Sequence, residues 1–263
     1  MGQNIVQVDA FTDTPFRGNP AAVCIMSGPC ADDAWMQAVA AEMNLSETAF
    51  IWPAGDELNL RWFSPIVEID LCGHATLAAA HVLWQDGHFP PTTMARFRTK
   101  SGLLTAERVG DLIELDFPAT PAAPAALPPG LEQALGTRAL WTGRTTFDYL
   151  IEVSSAAIVR DLRPDFGMLA RIPARGFMVT SRSDSARFDF VSRFFAPGVG
   201  IPEDPVTGSA HCALAPFWGE QLNKTEMVGN QVSPRGGVVG VGLAGERVKL
   251  RGAAVTVLRG ELV

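Results

Sequence analysis

Apolar and polar positions alternate with a period of two near the N-terminus and shift to a helical period before residue 45. Residues 4–11 alternate and are β-branched enough for a strand, and Ala21–Met26 is a short apolar run bounded by turn residues. Asp32–Met43 sets Trp35, Val39 and Met43 on one helical face, with Asp32 and Asp33 at its start. Leu45–Trp52 and Leu58–Phe63 read as strands, and His74–Trp84 as an Ala-rich helix. Phe97–Phe117 predicts a strand pair turning at Gly110-Asp111. Further on, Leu140–Ser154 predicts a strand pair, Asp165–Arg171 a short helix, and Gly176–Thr180 and Phe188–Phe195 two strands. Val228–Val263 alternates like strand throughout, broken by Gly-rich turns.

One stretch occurs twice. Residues 61–84, RWFSPIVEIDLCGHATLAAAHVLW, return as 193–218, RFFAPGVGIPEDPVTGSAHCALAPFW. Each copy runs from an Arg-aromatic-Phe strand through a Pro loop to a glycine, Gly73 or Gly208, then into a small-residue apolar run ending in Trp. Setting Gly73 on Gly208 pairs Cys72 with Thr207, His74 with Ser209, Thr76 with His211 and Ile69 with Asp204. Aligning Gly176-Phe177 with Thr48-Ala49 sets Arg175 near the place of Glu47, so the second half offers no carboxylate there. The Pro-rich stretch 118–130, PATPAAPAALPPG, predicts a linker between halves. The expected organisation is an N-terminal lobe over 1–117, completed by a last strand near 253–263 if that strand crosses back, and a C-terminal lobe over 131–263.

A duplicated helix entrance has chemical meaning. Helix N-termini offer unpaired backbone N–H groups and the positive end of a dipole, so they hold anions without Lys or Arg. A glycine there lets a ligand approach the backbone closely. Two such glycines also serve simply as tight turns, and the sequence pattern alone weighs the two readings equally. Glu47 is likewise either a strand-edge glutamate in water or a carboxylate aimed at chemistry. Asn19, between Gly18 and Pro20, is either an Asx-turn residue or an amide pointing into a cleft.

Composition narrows the partners. Across 263 residues, 47% are hydrophobic and 19% charged, which fits a folded protein with a sizeable core. The formal charge of −7 and the lack of a Lys/Arg run argue against nucleic acid. No segment reaches the ~20 apolar residues that span a bilayer, and the N-terminus reads as strand, so a soluble cytoplasmic protein is expected. Four cysteines without CxxC spacing and four histidines without a ligand pair argue against a disulfide scaffold or a zinc site. Gly240–Gly245 matches GxGxxG, but alternating residues follow it, so it reads as a hairpin turn and not a dinucleotide loop.

The strings FTDTPFRGNPAAV, NLSETAF, FSP, CGHAT and EDPVTGSAH, in that order along nearly the whole chain, closely resemble the phenazine biosynthesis (PhzF)-like family. The resemblance implies an α+β fold of two pseudo-symmetric lobes. Each would be a curled, barrel-like mixed sheet around a central helix, with the active site in the cleft between them. It carries the catalytic roles onto Glu47, His74 and Asp204, and the substrate contacts onto Asn19, Gly73, Gly208 and Ser209. It implies a homodimer with no metal or organic cofactor, acting on a small carboxylate-bearing substrate. Racemases of related fold use two cysteines as paired acid and base. Here the paired positions hold Cys72 and Thr207, so two-thiol chemistry is not available. The expected reaction is an isomerisation in which Glu47 alone removes a proton and returns it elsewhere. Its rivals are an epimerase or lyase led by Cys72, and a binding protein that kept the fold without turnover.

Overall fold

The structure is a computed structural model that describes residues 2–29 and 32–263; Cys30 lies outside the described residues. The chain divides into two compact units, residues 1–116 with 251–263 and residues 117–250.

In the first unit, β1 (Gln3–Ala10) pairs antiparallel with β2 (Asn19–Ile25), and helix α1 (Asp33–Met43) leads to β3 (Glu47–Ala54), parallel to β2. The Asp32 side chain caps α1 by accepting from the backbone N–H groups of Ala34 and Trp35, and Asn44 ends it in the left-handed region. Strands β4 (Glu57–Phe63) and β5 (Glu68–Ile69) continue antiparallel and deliver the chain to helix α2 (Gly73–Gln85). Strand β6 (Ala95–Thr99) then returns parallel to β4, followed by β7 (Gly102–Val109) and β8 (Leu112–Pro118). The segment read as one strand pair is thus three strands, because Thr99 and Gly102 close an additional tight turn.

Helix α2 packs on β1, β2, β3, β7 and the C-terminal strand. Ten of its residues, His74 to Ala80 and Val82 to Trp84, are buried. A helix apolar all round has no solvent face to offer, and its alanines let the strands come close.

The second unit repeats this order. Strand β9 (Ala123–Pro124), inside the Pro-rich stretch, pairs with β10 (Trp141–Arg144) beyond helix α3 (Leu131–Leu135). Two residues of the expected linker therefore form a short edge strand, a position that tolerates proline. Strand β11 (Asp148–Glu152) is followed by short helices α4 (Ala156–Asp161) and α5 (Phe166–Leu169), and then β12 (Gly176–Arg182), parallel to β11. Antiparallel β13 (Phe190–Ala196) and β14 (Ile201–Asp204) lead into α6 (Gly208–Leu222), which packs on β15 (Glu226–Gln231) and β16 (Gly237–Ala244). Strand β15 runs parallel to β13, as β6 does to β4. The GxGxxG match lies in β16 and its turn into β17 (Arg247–Gly252), as expected of a hairpin.

The final strand, β18 (Ala254–Leu262), pairs antiparallel along the full length of β1. Residues 251–263 consequently belong with the first unit and not with 131–250.

Strand register aligns the halves residue by residue. Thr48 faces Phe63 and Phe177 faces Phe195; Trp62 faces Ile69 and Phe194 faces Asp204. Glu47 therefore corresponds to Gly176, and Arg175 to Ser46. This corrects the sequence alignment by one residue and leaves its consequence intact: no carboxylate stands opposite Glu47.

Candidate active site

The first half-site gathers at the entrance of α2. Its N-cap residue, Cys72, is extended and makes no side-chain cap, which leaves the first backbone N–H groups, from Gly73 onward, without a side-chain acceptor. His74, on the first turn, is buried to 4% exposure. Its Nε2 lies 2.9 Å from Oε2 of Glu47, the first residue of β3 and itself 8% exposed. The two atoms touch without hydrogen-bond geometry, and neither has another hydrogen-bond partner. On the other edge of the ring, Nδ1 is 3.1 Å from Asn19 Nδ2 and 3.6 Å from Cys72 Sγ. The Ser46 hydroxyl lies 3.1 Å from Asn19 Oδ1 and donates to it.

These contacts serve both protonation states of His74. With the Asn19 amide donating to Nδ1, the imidazole is neutral and carries its proton on Nε2, facing Glu47. With the amide turned over, Asn19 Oδ1 accepts from a protonated Nδ1, and the Ser46 hydroxyl accepts from the amide. In that second arrangement Nε2, facing Glu47, is the ring nitrogen that can gain or lose a proton.

Burial pulls the His74 pKa down, but acidic neighbours lift it well above the usual imidazole value. Cys72 and Glu47 are the neighbours that lift it, and burial pushes the Cys72 thiol itself up to about 11.

Glu47, Cys72 and His74 are also the one group among the described residues with metal-ligand atoms within 4.8 Å of one another. They fit a cation poorly, because His74 turns opposite nitrogens to Glu47 and to Cys72, and Asn19 already faces Nδ1.

The second half-site gathers at the entrance of α6. Thr207, its extended N-cap, turns its hydroxyl to Asp204 Oδ2 at 2.6 Å and makes no cap either. Fully buried Gln231 pins the same loop: its Oε1 accepts from the Thr207 N–H at 2.9 Å, and its Nε2 donates to the Asp204 carbonyl at 2.7 Å. Ser209 Oγ lies 3.4 Å from Nη2 of Arg175, whose guanidinium makes a two-pronged pair with the buried Asp148. Burial opposes the Arg175 charge, and Asp148 more than restores it.

The expected residues thus fall into two groups, Asn19, Gly73, Glu47 and His74 in one unit and Asp204, Gly208 and Ser209 in the other. Sequence reading missed Gln231 and the Arg175–Asp148 pair. Gln231 ends β15, 24 residues after Thr207, with nothing around it to mark it. Asp148 opens an apolar strand, and only its burial at 3% exposure reveals that it needs a partner.

The phenazine biosynthesis-like protein family matches residues 8–260. An uncharacterized isomerase of Halalkalibacterium halodurans is 53% identical over 260 residues, 98% of either chain. This chain belongs to the PhzF-like family. A PhzF-family crystal structure from Enterococcus faecalis is 40% identical, with a TM-score of 0.95 and full coverage of both chains. A structure described as a predicted epimerase from Pseudomonas aeruginosa, 23% identical, shares the fold with a TM-score of 0.77 over 99% of each chain. The sheet-dominated α/β architecture with few helices is that of PhzF-like and epimerase-like proteins. No helix among the described residues is long and apolar enough to cross a membrane.

Proposed function

We propose that this PhzF-like protein is an isomerase that shifts a proton on a small carboxylate-bearing substrate, with Glu47 as general acid and base and no cofactor. The observation that carries the reading is the buried Glu47 carboxylate facing His74 Nε2 at 2.9 Å, beside an uncapped helix entrance. Relatives such as the Halalkalibacterium protein carry the name isomerase, which agrees with it.

In this reading Glu47 takes a proton from substrate carbon. The negative charge that develops on the adjoining carboxylate or enolate is met by the N–H groups of the uncapped helix start at Gly73. His74, held as the Nδ1–H tautomer with Asn19 Oδ1 accepting from it, takes the proton from Glu47 on Nε2 or returns it from there, and the Nδ1 side is unchanged by the transfer. Delivery of the proton to a different carbon completes the isomerisation, with atoms and charge conserved. Asp204 orders the second entrance through Thr207, and Gly208 and Ser209 hold a substrate anion. The two units, taken as pseudo-symmetric lobes each with a curled sheet around one helix, together with a homodimeric state, belong to the same reading and rest on the family resemblance; a cytoplasmic setting is proposed from the sequence alone.

The Cys72-led epimerase is the weaker reading, since a thiol held near 11 is a poor base at neutral pH. A panel of small carboxylates incubated in D₂O and followed by NMR separates them. Carbon-bound deuterium should appear with wild type and with Cys72→Ser, and not with Glu47→Gln. The reverse pattern would hand the chemistry to Cys72. Tight binding with no exchange by any variant would make the protein a binder.

A further inference from the structure

The Arg175–Asp148 pair lies outside every residue assigned so far, yet it touches one of them. Arg175 is anchored at several points. Its backbone N–H donates to the Phe147 carbonyl at 3.0 Å, its guanidinium sits over the Phe147 ring at 5.1 Å, and its Nε donates to Asp148 Oδ1 at 2.8 Å. Asp148 is itself fixed by Thr145, whose hydroxyl accepts the Asp148 N–H at 2.9 Å. A planar guanidinium held at both prongs by a buried carboxylate has no freedom to swing. What remains of its donors includes Nη2 toward Ser209 Oγ at 3.4 Å.

We infer that Arg175 is a positioning residue that selects anionic substrates by orienting the Ser209 hydroxyl. A serine hydroxyl has one hydrogen and can accept as well as donate. When Oγ accepts from Arg175, its hydrogen is left free to donate to an oxyanion at the α6 entrance. Without Arg175 the hydroxyl can turn that hydrogen toward the Asp148 side and lose its aim.

The first unit is wired alike. Ser46 corresponds to Arg175 by strand register, His74 corresponds to Ser209, and Ser46 reaches His74 through Asn19. In both units the residue just before the strand start disciplines the second residue of the helix. One sets a proton relay and the other sets an anion donor.

This inference rests on the proposal that Ser209 holds the substrate anion, and the experiment separates the two. Benzoate and its neutral counterpart benzamide serve as probes, with binding followed through the backbone amide resonances of Gly208 and Ser209. Benzoate should shift both saturably and benzamide should not. Arg175→Gln should weaken benzoate at least tenfold, Ser209→Ala by a similar factor, and the double variant no further than either single. Arg175→Lys, which keeps a charged donor, should recover part of the loss.

If wild type shows no preference for benzoate, the anion assignment of Ser209 fails and this inference with it. If benzoate is preferred but Arg175→Gln binds it equally well, or if the two losses multiply in the double variant, only the Arg175 role is overturned. Because Arg175→Gln leaves Asp148 buried, the paired variant Arg175→Gln/Asp148→Asn provides the same measurement in a charge-balanced fold. Equal benzoate affinity in that folded variant also overturns the role.

Discussion

At the start of α2, Glu47 and Asn19 converge on the imidazole of His74; at the start of α6, the same two strand and helix positions hold Gly176 and Ser209. Strand order, register and helix start are shared, and both N-caps are extended with no side-chain cap. Even the back-bond onto the N-cap carbonyl is repeated, by Thr76 onto Cys72 at 2.5 Å and by His211 onto Thr207 at 2.8 Å. What differs is every group that carries a proton. The two uncapped helix entrances are alike, and the Glu47–His74 contact is found at one of them. Structural ion pairs diverged as well: both glutamates, Glu68 and Glu203, are partly exposed, but Arg61 is partly exposed too, whereas Arg193 is buried and also holds the Leu162 carbonyl.

That last contrast gives the largest expected effect on stability. Arg193→Met should cost about 3–5 kcal/mol, because it removes a buried guanidinium that partners both Glu203 and the Leu162 carbonyl, whereas Glu68 keeps Lys100 when Arg61 is lost. Arg61→Met, at the corresponding position, should cost about 1 kcal/mol. Urea denaturation of both variants measures the gap, and equal costs would show that burial does not separate the halves.

Next comes acid sensitivity. Burial lowers the His211 pKa to about 4 in the fold. As pH falls, the unfolded chain takes up the proton first, so stability is lost between about 6.5 and 4, by roughly 3 kcal/mol. Replacing His211 with its counterpart from α2, His211→Thr, should flatten that slope whatever it does to stability at pH 7. An unchanged slope would mean that His211 is protonated or solvated in the fold.

A smaller effect tests why the second half lacks a carboxylate. An added Cβ at Gly176 would stand 2.3 Å from the ring of buried Phe194, so Gly176→Ala should cost about 1–3 kcal/mol. A neutral substitution would show that packing does not keep side chains out of that position. The least effect is expected of Cys72→Ser, whose solvent-exchange rate should stay within about threefold of wild type, since a thiol near 11 contributes no base at neutral pH.

Much of this arrangement was legible in the sequence. The doubled Arg-aromatic-Phe strand and glycine entrance gave both helices, and the motif strings led to Glu47, His74 and Asn19, which the fold brings together. Asp204 and Ser209 also stand at one entrance. The failures share a cause: they depend on which strands pair. An alignment by eye could not fix the register that moves Glu47 onto Gly176. Nor could it reveal that Ala123-Pro124 joins a sheet edge. Gln231 and Asp148 carry no local signal, since their work is to satisfy groups that approach them only after folding.

The proposed function makes Glu47 the acid–base group of the first half-site. Its most direct test is the rate at which solvent deuterium enters a carboxylate substrate, compared between wild type and Glu47→Gln at equal bound fraction. The account predicts a loss of about 10²–10⁴-fold with binding retained. Wash-in by Glu47→Gln within a few-fold of wild type would contradict it.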